Sequence, residues 1–130
     1  KSNMDSGMNR AAQLAAAEAL KLGEDWYGSL NTVYRKRKEI AYEILEELGC
    51  RYQKDQAGLF AWGRVPENFK DGYELSDLIL YEADVFVTPG GIFGSGGNDY
   101  IRISVCTEEE ELRTAHQRIK VLIGQKSTAL

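Results

Sequence analysis

Trp26, Leu30, Val33, Ile40, Ile44 and Leu48 recur at helical spacing, with the stem of Arg37 in the same row. This pattern predicts one long helix that stops at Gly49. Its opposite face carries Arg35, Lys36, Lys38, Glu39, Glu43, Glu46 and Glu47, and the run Arg35-Lys36-Arg37-Lys38 reads as a solvated face with internal ion pairs. An alanine-rich stretch, residues 10–21, predicts a helix before it, closing on Gly23. Downstream the period shortens. Residues 59–65 read as a strand between Gly58 and Pro66, and residues 85–88 as a short strand ended by Pro89. Between them a polar turn over residues 68–72 leads into a short helix with Leu75, Leu78 and Ile79 on its apolar side.

From Tyr100 to Cys106 the alternation is strict. Ile101, Ile103 and Val105 take one face, and Tyr100, Arg102 and Ser104 the other. Thr107-Glu108-Glu109-Glu110 has the form of a capping box, with Thr107 as the cap and Glu110 reaching back. Leu112, Ala115, Ile119 and Leu122 form the stripe of a last helix that Gly124 closes, leaving residues 125–130 as a frayed tail. The order is helix, long helix, strand, helix, strand, strand, helix. It predicts an α/β chain with an α+β-like, two-layer domain, its helices packed on a small, mainly antiparallel sheet.

Composition narrows the function. The chain has 130 residues, 43% hydrophobic and 28% charged, which suits a small folded domain and not a disordered chain. A formal net charge of -4 argues against a nucleic-acid partner. No apolar run approaches the ~20 residues of a membrane span, and no signal-peptide pattern opens the chain, so no membrane partner is expected. Cys50 and Cys106 have neither disulfide-framework nor metal spacing, which suggests free thiols in a reducing, cytoplasmic setting.

The candidate chemistry lies in Pro89-Gly90-Gly91-Ile92-Phe93-Gly94-Ser95-Gly96-Gly97, which runs into the Arg102 strand. It is not a dinucleotide cradle. Gly94-x-Gly96 is followed by Asp99 where the fingerprint needs glycine, and the loop enters a strand instead of a helix. Arg102 has two readings on local pattern alone: an edge-strand arginine paired with a surface acid, or a fixed fork for a substrate carboxylate. His116, the one histidine, reads as a helix-surface or boundary residue. No nucleophile–base pair, metal cluster or catalytic residue can be assembled.

The chain resembles the C-terminal portion of class I/II, fold-type I, pyridoxal-phosphate-dependent aminotransferases. Four segments carry the resemblance in the family's order: Ser2-Asn3 to Ser6-Gly7 with the alanine-rich helix, Tyr34-x-x-Arg37, Gly58-Leu59-Phe60-Ala61-Trp62, and Pro89-Gly90-x-x-Phe93-Gly94 running to Tyr100-Ile101-Arg102-Ile103-Ser104. It implies that residues 1–23 are the end of the large cofactor domain, residues 24–49 a bridging helix, and residues 50–130 the small domain. It implies that Arg102 binds the α-carboxylate of an amino-acid substrate, that Phe60 lines the substrate cleft and that Asn3 approaches the active site. The family's cofactor is pyridoxal 5'-phosphate, but its Schiff-base lysine lies upstream, and Lys1 is not that lysine.

Taken together, the resemblance implies a segment of an enzyme that moves an amino group between an amino acid and a 2-oxo acid. That enzyme is expected to be a homodimer, and this segment to be inactive and without cofactor alone. A lyase, decarboxylase or synthase of the same fold would use Arg102 equally well. A stand-alone, non-catalytic ligand-binding domain is the third reading.

Overall fold

Asn9 caps the first helix: its side-chain oxygen accepts from the backbone N–H groups of Ala11 (2.8 Å) and Ala12 (3.4 Å). The computed structural model describes residues 9–127. They form α1 (Arg10–Ala19), α2 (Glu24–Glu47), β1 (Phe60–Arg64), α3 (Gly72–Ala83), β2 (Thr88–Pro89), β3 (Tyr100–Ser104) and α4 (Glu109–Ser127). Two short 3-10 turns, Gly90–Phe93 and Ser95–Gly97, join β2 to β3.

The chain divides into two units, Lys1–Val33 and Tyr34–Leu130, and the boundary falls inside α2. In the first unit no residue of α1 is buried, and Trp26, Leu30 and Val33 of α2 are exposed. The apolar row of α2 is therefore covered only in the second unit, where Ile40, Ala41, Ile44 and Leu45 are buried.

That second unit has two layers. The sheet order is β1-β3-β2, and both pairings are antiparallel. Ala61 of β1 and Ile101, Ile103 and Val105 of β3 and its extension turn inward against Leu45, Leu75, Ile79, Leu112 and Ile119 from the helices. Burying each of these large aliphatic side chains is worth about 1.5–3 kcal/mol, which fixes the strand register. The predicted alternation of β3 is borne out, since Tyr100 and Arg102 are half-buried and Ser104 is exposed on the face away from this core.

Several sequence expectations need correction. β2 is two residues, not residues 85–88; Pro89 ends the pairing because it has no N–H to donate. The helix cap before α4 is displaced by one residue. The helix starts at Glu109, and the Thr107 hydroxyl donates to the Glu111 carboxylate instead of capping a backbone N–H. α4 continues through Gly124 to Ser127, so Gly124 does not close it. A glycine in a helix costs about 1 kcal/mol relative to alanine, too little to end a helix that is anchored by Ile119 and Leu122.

The basic run Arg35-Lys36-Arg37-Lys38 of α2 is also more than a solvated face. Arg37 is only 11% exposed and pairs with Glu108. Lys38 Nζ donates to the carbonyls of Gln56 and Gly58, at 2.9 Å for the latter, and so ties down the loop that precedes β1.

Candidate functional site

Arg102 lies on the middle strand, opposite Trp62 of β1 and Thr88 of β2. The edge-strand reading is thereby overturned. So is the paired-acid reading, because no carboxylate forms an ion pair with Arg102 among the described residues. Its guanidinium carbon lies 4.0 Å from the centre of the Phe60 ring and 4.2 Å from that of Phe93. Phe60 and Phe93 make no ring contact with each other among the described residues, and the guanidinium lies within cation–π distance of both. Each ring offers a negative face to the cation, an attraction of about 0.5–1 kcal/mol where water has access.

The polar atoms of the guanidinium are less well served. Arg102 Nε is buried and has no acceptor. The terminal nitrogens are not buried and make no hydrogen bond among the described residues. An arginine flanked by two aromatic rings, with no ion pair among the described residues and its terminal nitrogens accessible, is suited to a planar anion. Arg37 makes the contrast plain. It too has a buried Nε without a partner, but its terminal nitrogens are used, one by Glu108 and one by the Cys106 carbonyl at 3.5 Å. Arg37 ties α2 to the turn between β3 and α4; Arg102 is left free.

Each ring of the clamp is held from outside it. Phe60 begins β1 just after the Gly58 carbonyl that Lys38 holds. Trp62 meets Phe93 edge-on, with ring centres 5.6 Å apart. Trp62 is in turn fixed by Gln56: the side-chain carbonyl of Gln56 accepts from Trp62 N–H and its amide donates to Trp62 C=O, both at 2.9 Å. A glutamine thus occupies the free edge of β1 as a further strand would.

Phe93 sits in the glycine loop, whose two limbs approach very closely. A Cβ added at Gly90 would lie 2.5 Å from the Gly97 carbonyl oxygen, and one at Gly97 would lie 2.2 Å from that of Gly90. No side chain can stand at either position without moving the backbone.

A separate open groove of about 800 Å³ runs between the α3–β2 connection and α4. Arg102 borders it, but Phe60 and Phe93 do not, and its walls carry Asp84, Glu108, Glu110 and Glu111. Arg118 also lines it, but the four acids outnumber the two arginines, which disfavours an anionic ligand there, so the exposed clamp is the better candidate site.

Of the residues singled out from sequence, Arg102 and Phe60 are in contact, and Asn3 lies outside the described residues. Phe93 and Trp62 were not singled out. The only sequence signal for Phe93 was its place in Pro89-Gly90-x-x-Phe93-Gly94. His116, on α4, is half-buried, a boundary position between core and solvent as expected, with Nδ1 3.4 Å from the Glu43 carboxylate. Cys50 is buried, and burial pushes its thiol up to about 12, whereas Cys106 is exposed. Among the described residues no group of three or more His, Cys, Asp or Glu side chains is placed to hold a metal.

Pyridoxal phosphate needs an amine to hold its aldehyde. Arg102, Phe60, Phe93 and Trp62 offer none, and Lys38, which holds the loop before β1, is engaged by two carbonyls. These residues do not fit the cofactor. They fit a carboxylate.

Comparison with known proteins identifies the family. Residues 2–119 match the profile of the family described as aminotransferase class I and II. The LL-diaminopimelate aminotransferase of Oleidesulfovibrio alaskensis is 39% identical over 125 residues, covering 94% of this chain and 31% of that protein. Transaminase BacF of Bacillus subtilis is 36% identical over 117 residues, covering 89% of this chain and 29% of that protein. The apo structure of BacF superposes with a TM-score of 0.79 at 33% identity, over 94% of this chain and 33% of that one. An aromatic aminotransferase from Pyrococcus horikoshii gives 0.76 at 31% identity, over 88% of this chain and 31% of that one. The chain spans about a third of the length of the relatives it matches. Over that span it belongs to the class I and II aminotransferases.

Proposed function

We propose that this chain is the carboxylate-gripping segment of a pyridoxal-phosphate-dependent enzyme that moves an amino group between an amino acid and a 2-oxo acid. One observation carries the proposal. Arg102 is stacked between Phe60 and Phe93, lacks any counter-charge among the described residues, and keeps its terminal nitrogens open. The α-carboxylate of an amino acid would supply the missing charge through two parallel N–H···O bonds. Phe60 would then form one wall of the substrate cleft. The cofactor, which serves as electron sink in such enzymes, is supplied by the rest of the protein, and this segment is inactive without it.

The domain reading fits the same picture, with residues 24–49 as a bridge from the cofactor domain and residues 50–130 as a small domain that closes over substrate. A cytoplasmic homodimer is the form in which we expect it. Because several relatives are named LL-diaminopimelate aminotransferase, LL-diaminopimelate is the first amino donor to assay.

The test uses the full-length protein that carries this chain. Arg102→Ala should raise KM and lower kcat/KM by about 2–4 kcal/mol, roughly 30- to 900-fold, the scale of losing one partner of a desolvated charge pair. An unchanged kcat/KM refutes the role of Arg102. Sustained turnover, with more than one equivalent of product per site and no 2-oxo acid acceptor present, refutes aminotransfer in favour of a lyase or decarboxylase.

A further inference from the structure

An anion can approach a guanidinium over either face, at the side edge formed by Nε and one Nη, or at the end edge formed by the two Nη groups. In Arg102 three of these approaches are closed. The Phe60 and Phe93 ring centres lie 4.0 Å and 4.2 Å from the guanidinium carbon, which we take as one ring over each face, and Nε is buried. The end edge alone remains, and its N–H bonds lie in the plane of the group. A carboxylate matches it, because its two oxygens are coplanar with its carbon. A tetrahedral anion does not. With two oxygens on the end edge, its third oxygen leaves the plane toward a phenyl face, where it finds negative π density and no donor.

The two rings differ in how they are placed. Phe60 belongs to β1 and its position follows from the strand ladder with β3. Phe93 is brought in by the loop, is 53% exposed, and is held by the edge of Trp62 and the closely approaching limbs at Gly90 and Gly97.

We propose that Phe93 is a positioning residue that restricts Arg102 to end-on binding, and that it thereby selects planar carboxylates over tetrahedral anions of equal charge. This rests on the reading of Arg102 as the carboxylate grip. It adds a ring that acts through Arg102 and a discrimination that the arginine alone does not provide.

Propanoate and ethanesulfonate are suitable probes: both are monoanions with the same ethyl group, one planar at the charged end and one tetrahedral. Their dissociation constants are measured by calorimetry on the full-length holoprotein, and their inhibition constants are measured against the amino donor. The wild type should prefer propanoate by about tenfold or more. Phe93→Leu should narrow the preference to about threefold or less and raise donor KM by a larger factor than it lowers kcat, because the lost constraint acts on binding geometry. Phe93→Tyr, which keeps the ring, should retain the preference. If Phe93→Leu does not fold, Phe93→Met takes its place with the same expected narrowing.

A wild type without preference, or a leucine or methionine variant with the wild-type preference, overturns the proposal. Arg102→Ala separates the two levels. If it leaves propanoate binding unchanged, the carboxylate-grip reading fails. If it abolishes propanoate binding while the Phe93 variants keep the wild-type ratio, the inference about Phe93 fails alone.

Discussion

Replacing Gly97 by alanine places a methyl group 2.2 Å from the Gly90 carbonyl oxygen and 2.6 Å from its carbon. Both are backbone atoms, so no side chain can swing aside. Restoring an ordinary contact of 3.4 Å requires the two limbs of the loop to part by about 1.2 Å. Overpacking of this kind costs about 1–3 kcal/mol. The shift also reaches the site, because Phe93 lies on one limb and the other leads directly into β3 and Arg102. A displacement of about 1 Å at a substrate-orienting group can cost up to about 100-fold in rate. Gly97→Ala should therefore lower both the thermal midpoint and kcat/KM of the full-length protein. Gly96→Ala is the control: the neighbouring glycine has nothing within 4 Å of an added Cβ, so both quantities should stay near wild type. Equal effects of the two substitutions would refute the reasoning, since they would make loop flexibility, and not close approach, the reason for the glycines.

Two further predictions concern parts that support the clamp. Gln56→Ala removes both bonds to the Trp62 backbone and should destabilise the second unit by about 1–3 kcal/mol, with faster hydrogen exchange at the Trp62 amide; unchanged exchange would rule out the strand-like role of Gln56. Cys50 would ionise near 9.0 when unfolded but only near about 12 when folded, so its contribution to stability should be intact below pH 9 and lost as pH rises toward 12. Cys50→Ala should flatten that part of the stability–pH curve, and an identical alkaline slope in the variant would contradict the burial of the thiol.

Arg102 was legible because a strand has period two: once Ile101, Ile103 and Val105 are placed in a core, Arg102 must face away from it. Its place on the middle strand was not, since local pattern does not state which strands pair. Phe60 came with the resemblance, and its contact with Arg102 follows from the register that sets Phe60 against Ser104 and Trp62 against Arg102. Phe93 and Gln56 escaped notice for a common reason. Both act from loops through residues distant in sequence, and no periodicity marks such contacts. The cap at Thr107 and the stop at Gly124 failed differently. Each was a sound local preference worth about 1 kcal/mol, and tertiary packing of α4 outweighed it.

The most direct measurement is a crystal structure of the full-length protein with an amino-acid substrate or its 2-oxo acid bound. It should show the two oxygens of the α-carboxylate at about 2.7–2.9 Å from the two Nη atoms of Arg102, coplanar with the guanidinium and between the rings of Phe60 and Phe93. A carboxylate bound by another cation, or Arg102 paired with an acidic side chain of the protein while substrate is bound, would contradict the assignment.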